Sequence, residues 1–319
     1  MASSTLSSPL SNIERLPDEL LLRVFDLIYI ESTTSKKDSD RYRCGSRTLL
    51  SLALCSRRLY AVTLPAVYRY MHELPKSQDN LVKFLRQILA VPALGHQVKL
   101  FHGVARFTER RQSQSAIRLH TSSLPPDDWI RVESAATEAV FANSSYPWVL
   151  NSIENGYWPD VAALVLSRLP NLEELELSNW IYSDESSKAL LILNKMASIS
   201  NSSDQPLSNL RRISINSSQP DHDVPMHRLL QFFMFPSLSV FETDACCMQF
   251  NGDDDWMEKG YQFPAMKELQ LLRSVSEPSR LSNFLQLFPN LERLTYGHTW
   301  GLLAFSNLIA PNSCQPLLI

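Results

Sequence analysis

The 319-residue sequence predicts an α/β protein in two parts. A short helical N-terminal unit comes first, followed by an irregular solenoid whose strands form a curved parallel sheet with helices outside. Two observations lead there. One helix near the N-terminus is too apolar to serve a single packed face. A strand-like motif recurs five times in the second half, with its apolar positions in phase.

Residues 1–12, "MASSTLSSPLSN", are polar and expected to be disordered. They have neither the basic region and apolar run of a secretory signal nor the arginines of a mitochondrial presequence, so a cytoplasmic or nuclear protein is expected. Pro17 then suits a first helical turn, with Asp18 and Glu19 where the helix dipole favours acids. From Leu20 to Ile28 seven of nine residues are apolar, interrupted only by Arg23 and Asp26. A helix on one core needs an apolar stripe and a polar back. This helix is expected to end near Ile30 and to touch something on both sides.

Residues 31–47 carry Lys36, Lys37, Arg41, Arg43 and Arg47 with Tyr42 as the one apolar anchor, which predicts a flexible loop open to proteolysis. A second helical stretch, "TLLSLALCSRRLYAVTL", is expected to close at Pro65. Between 105 and 150 the pattern is weakest; "PPDDWIRVESAATEAVF" predicts a capped helix starting near Asp127.

The repeat reads "LPNLEELEL" (169–177), "LSNLRRISI" (207–215), "FPSLSVFET" (235–243), "FPAMKELQL" (263–271) and "FPNLERLTY" (288–296). Counted from the Pro or Ser in second place, apolar residues recur at −1, +2 and +5 in all five. At +7 stand Leu177, Ile215, Leu271 and Tyr296, with Thr243 the exception. Successive units begin 38, 28, 28 and 25 residues apart. Apolar helical stretches precede three of them, placing Leu166, Phe232 and Leu285 four residues before the proline. A strand with alternating inward residues and one amphipathic helix cannot bury its apolar face alone, whereas stacked copies bury one continuous core. An ordinary α/β domain with chance similarity among its strands is the plainer alternative.

This pattern resembles the leucine-rich repeat, with Leu172, Leu175 and Leu177, or Met266, Leu269 and Leu271, in its Leu-x-x-Leu-x-Leu strand. Three residues beyond, where that family has Asn or Cys, stand Trp180, Ser218, Cys246, Ser274 and Thr299, so irregular turns are expected. The N-terminal stretch resembles an F-box. Leu16, Pro17, Glu19, Leu20, Leu21, Val24, Phe25 and Ile28 match its first half. Leu49, Leu52, Cys55, Ser56, Arg57 and Leu59 match its second, with Cys55, Ser56 and Leu59 departing from the family residues but expected to bury. "LPAVYRYM" and the segment from Pro147 into the first repeat are similar to fungal members. The resemblance covers about 13–70, with 31–47 as a long charged insertion, and 146–300. The region 76–319 is expected to be repeat-like, clearest over 160–300.

The resemblance implies that one side of the F-box helices packs internally while the other docks on a Skp-family adaptor of a cullin ubiquitin ligase. Leu16, Pro17, Leu20, Leu21, Val24, Phe25, Leu49, Leu52, Cys55 and Leu59 would carry that contact. The repeats would hold a protein substrate. In such a strand the residues between the inward ones face the open side of the sheet, which points to Glu174, Glu176, Arg212, Ser214, Glu242, Asp244, Glu268, Gln270, Arg293 and Thr295. Five are acidic and two basic, so a mildly basic partner is expected. The same charges would also serve merely to solvate the sheet.

Other chemistry finds no support. Net charge is −3 and pI about 6.2, giving no attraction to nucleic acid, and no segment reaches the length of a membrane span. Five unpatterned cysteines read as reduced thiols. No phosphate-binding, serine-hydrolase or zinc-protease motif occurs. The pairs His96 with His102 and His222 with His227 lack a completing ligand, and "GDDDW" (252–256) lacks calcium-loop spacing. Neither a cofactor nor a metal is expected, and no catalytic residue. The two functions left are a ligase substrate receptor and a repeat-built interaction scaffold independent of ubiquitin ligases.

Overall fold

The computed structural model describes residues 13–34, 47–72, 79–104, 124–140, 146–178, 207–216, 224–244, 246–247, 260–298 and 301–306. The chain divides into two compact units, Met1–His72 and Glu73–Ile319.

In the first unit a 3-10 turn, Ile13–Arg15, leads through Pro17 into helix α1 (Asp18–Thr34). The carbonyl of Pro17 accepts from the backbone N–H of Leu20 and Leu21, so the proline starts the helix where its own missing donor costs nothing. The helix runs four residues past the expected Ile30 and takes in the start of the charged stretch; residues 35–46, the rest of that expected loop, lie outside the described residues. Helix α2 spans residues 47–53 and helix α3 Arg57–Arg69. Pro65 does not end α3 as expected but sits inside it. Burial of Thr63 and Ala66 and the ion pair of Arg69 with Asp26 hold the turn that the proline weakens. Ser56, expected to bury, caps α3 instead, its Oγ accepting from Leu59 N–H. Strand β1 (Tyr70–His72) follows.

The second unit is mixed α/β. Helix α4 (Asp79–Ala90) and the single-turn helix α5 (Pro92–Gly95) lead into β2 (Leu100–Val104). Helices α6 (Pro126–Val140), α7 (Tyr146–Glu154) and α8 (Trp158–Leu166) precede β3 (Glu174–Ser178). Then come β4 (Arg212–Asn216), β5 (Val224–Pro225), β6 (Val240–Asp244), β7 (Cys246–Cys247), β8 (Glu268–Ser274), β9 (Arg293–His298) and β10 (Gly301–Ser306). Strands β2, β3, β4, β6, β8 and β9 pair in that order, all parallel, and β10 closes the sheet antiparallel to β9. Strands β5 and β7 form a second, short parallel pair.

The five sequence repeats occupy the sheet in register. The inward apolar positions are all buried, from Leu169, Leu172, Leu175 and Leu177 to Phe288, Leu291, Leu294 and Tyr296. Each repeat turns the same way, its +2 N–H bonding back to the −1 carbonyl, as Leu172 to Leu169 and Leu291 to Phe288. The next repeat's +3 and +4 N–H groups then share one carbonyl, Glu173 receiving from Arg211 and Arg212 and Lys267 from Glu292 and Arg293. Such recurrence leaves few buried backbone groups unpaired.

A sixth turn of the same kind, missed in the sequence, lies at Gly95–Gly103. Val98 N–H bonds to Gly95 O, and Lys99 O receives from Glu173 and Glu174. Glycines replace the apolar residues at −1 and +7 because there is no room. A Cβ on Gly95 would lie 2.4 Å from the carbonyl oxygen of Arg168, and one on Gly103 2.9 Å from the Trp158 ring. The indole of α8 fills the space that a leucine fills elsewhere. Toward the other end, phenylalanines take over the interior, with Phe233 packed edge-on against Phe241 at 4.7 Å and Phe288 at 5.2 Å between centroids.

Candidate functional site

Two surfaces gather the residues singled out in the sequence. On α1, Leu21, Phe25 and Ile28 face the unit's own core, which also holds Leu49, Leu59 and Ala66. Leu20, Val24 and Leu27 lie about 100° round the helix from them, since each residue turns the chain by that angle. Leu20 is 48% exposed and Leu27 58%, with Val24 between them half-buried. The apolar arc thus spans about 160°, wider than the roughly 100° stripe that one core requires. Two of the helix's acids are tied down: Asp26 accepts from Arg69 at 2.9 Å, and Arg58 bonds Asp18 and the Leu16 carbonyl, both at 2.7 Å.

Of the ten residues expected to carry adaptor contact, Leu21, Phe25, Leu49 and Leu59 are buried inside this unit, and Leu16 and Leu52 pack against its core. They shape the surface from beneath. Pro17, Leu20 and Cys55 are exposed. Cys55 does not bury as expected; its thiol donates to Ser51 O at 3.2 Å. Residues not singled out in the sequence complete the exposed apolar set: Leu22 and Leu27 on α1, Leu50 and Leu54 at the end of α2, and Tyr60 on α3. The signal was available in the helical spacing, because Leu50 and Leu54 are four apart. Burial, and then the neighbouring Tyr60 phenol, raise the Tyr68 phenol above its usual pKa.

The second surface is the polar side of the parallel sheet. The Trp158 contact with Gly103 places α8 on the apolar side, opposite the alternating polar residues. Strand register aligns these in rows. One row runs Leu100, Glu174, Arg212, Val240, Glu268, Arg293 and the next His102, Glu176, Ser214, Glu242, Gln270, Thr295. Nine of the ten residues expected on this face stand in these two rows, and Asp244 stands in the next, beside Leu272. The face's charges are partly cancelled within the sheet, a pairing that spacing alone did not reveal. Glu242 accepts from Arg212 and Glu268 from Arg293, each at 2.8 Å, and Gln270 donates to Glu268. Arg273 grips Asp244 from a bulge after Leu271, where its φ of +45° is a strained left-handed conformation for a residue with a side chain. Asn216 donates to Glu176, and His102 lies 3.4 Å from the Ser178 hydroxyl.

The expected turn residues are partly visible. Ser274 is buried, donates to Leu272 O and accepts from Cys246 N–H, so it ties the turn after β8. Trp180, Ser218 and Thr299 lie outside the described residues, as do His222 and the acidic run 252–256. A groove of about 700 Å³ opens between α4, α6 and the turns before β3 and β4. Its Arg168 is engaged by Glu138 and Ala135 O, and its Ser167 hydroxyl donates to Leu164 O, so neither is poised for chemistry. Among the described residues no group of three His, Cys, Asp or Glu could hold a metal, and no helix is long and apolar enough to cross a membrane. No protein-family model matches the chain, and no curated protein matches it.

Proposed function

We propose that this chain is the non-catalytic substrate-recognition subunit of an SCF-type ubiquitin ligase, its N-terminal F-box docking on a Skp-family adaptor and its leucine-rich repeats holding a protein substrate. The observation that carries the reading is the apolar surface on α1. The first unit has a closed core of its own around Leu21, Phe25, Leu49 and Leu59, yet still exposes Leu20 and Leu27 with Val24 between them. A contiguous apolar strip is costly on a free surface and natural in an interface. Placed ahead of stacked strand-and-turn repeats that display a polar face, it fits a chain whose two ends bind different proteins. Its role would be positioning: a substrate held beside the ligase's transfer machinery reacts at raised effective concentration.

The test is equilibrium binding of the full chain to a purified Skp-family adaptor. Leu20→Asp with Val24→Asp would place charge in the contact without entering the core. Central anchors of this kind cost ~2–4 kcal/mol, at least about thirtyfold in affinity. A folded double variant that binds like the parent, or a parent that does not bind, would remove the ligase reading. It would leave a repeat-built scaffold that uses the same two surfaces for other partners.

A further inference from the structure

The polar sheet face is not evenly charged. Three of its acids, Glu242, Asp244 and Glu268, each carry an arginine from within the sheet and are only about one-fifth exposed. The part of the face built by β4, β6, β8 and β9 is therefore close to neutral. Glu174 and Glu176, the latter accepting from Asn216, add two negative charges on β3, so among the described residues the face's excess falls there. The strand beside them, β2, offers Leu100 and Val104, both half-buried, in the same rows as Glu174 and Ser178. Rows two residues apart on a strand are separated by about 6.6–6.8 Å and neighbouring strands by about 4.8 Å, so these groups span one short peptide's width.

We propose that this end of the face takes a cationic protein segment crossing β2 to β4, with a lysine or arginine over Glu174 and Glu176 and an apolar side chain against Leu100 or Val104. Charge complementarity selects the occupant. An acidic segment would be repelled at β3, and no second site for a basic group is open among β4, β6, β8 and β9, where Arg212, Arg273 and Arg293 already hold the acids. The proposal draws on the substrate-receptor reading only in naming this segment as substrate. It also shifts the expected contact away from Glu242 and Glu268, whose reversal would break internal ion pairs before it disturbed a partner.

The experiment is selection of 12-residue peptides from a displayed random library on the full chain, then fluorescence anisotropy with a synthetic copy of the most enriched peptide. Enriched sequences should carry net positive charge and an apolar residue. Glu174→Gln with Glu176→Gln should weaken the peptide about tenfold, the benefit should fade at high salt, and the melting temperature should hold. No enrichment, peptides without positive charge, or unchanged binding to the double variant would overturn the proposal. Binding that appears only after Arg106, Arg110, Arg111 and Arg118 are replaced by Ser would also overturn it, because the chain's own basic segment would then be the occupant. Leu20→Asp with Val24→Asp should leave peptide binding intact. Peptide binding without adaptor binding would sink the ligase reading alone, and the reverse would sink this one alone.

Discussion

Thr243 stands at the position that four other repeats fill with Leu177, Ile215, Leu271 and Tyr296, and it is fully buried. Its hydroxyl meets no hydrogen-bond partner among the described residues. A buried hydroxyl without a partner keeps the desolvation cost and gains nothing in return, of order 1–3 kcal/mol. Thr243→Val, which keeps the shape and removes the hydroxyl, should therefore stabilise the protein by about 1 kcal/mol, raising Tm by about 2–4 °C for a unit of this size. A lower Tm by calorimetry would show that the hydroxyl is bonded after all. At this scale the sequence was legible wherever an apolar residue meant burial. It was silent where room decided the residue: Gly95 and Gly103 hide the sixth repeat because the Arg168 carbonyl and the Trp158 ring occupy the side-chain space.

Elements were legible to differing degrees for reasons of period. The strands of the five repeats fall where the alternating pattern and the preceding turn placed them, since a slip of one residue would turn every apolar side chain outward. The helices were harder: α6 begins within a residue of the expected Asp127, but α7 has no repeat to mark it and Pro65 misleads about the end of α3. One inter-repeat device went unread. Asn171 donates to His96 O and Asn290 to Pro264 O, both at 2.9 Å, and Asn209 reaches Pro170 O at 3.3 Å. Each asparagine ties its turn to the turn before it. Ser237 and Ala265 hold the same position in the other two repeats and cannot span the gap. Asn290→Ala should cost about 0.5–1.5 kcal/mol, and Ser237→Asn should recover part of that amount by reaching the Ser208 carbonyl. Urea unfolding at constant m-value would read both, and a neutral Asn290→Ala would show the bond to be decorative.

For the molecule as a whole, the division into Met1–His72 and Glu73–Ile319 coincides with the division of labour proposed for it. The core of the first unit is assembled from Leu21, Phe25, Leu49, Leu59 and Ala66, with Ile13, Leu16, Ile28, Leu52, Val62 and Val67 around it, all from its own segment. The sheet of the second unit likewise draws its buried residues from Leu81 onward. The first unit is 72 residues long, and a domain of about 60 residues buries only about 60% of the surface its unfolded chain exposes, so the first is marginal alone, and more so with leucines left outside. Anything that binds its folded state raises its stability by mass action. Residues 73–319 expressed alone should therefore melt cooperatively near the main transition of the full chain, and should keep cationic-peptide binding while losing the adaptor. Residues 1–72 should fold weakly alone and gain about 2.7 kcal/mol in the presence of adaptor at a hundred times its Kd. Circular dichroism melts of both fragments decide it. A 73–319 fragment that fails to unfold cooperatively would mean that the repeats lean on the helical unit for their fold.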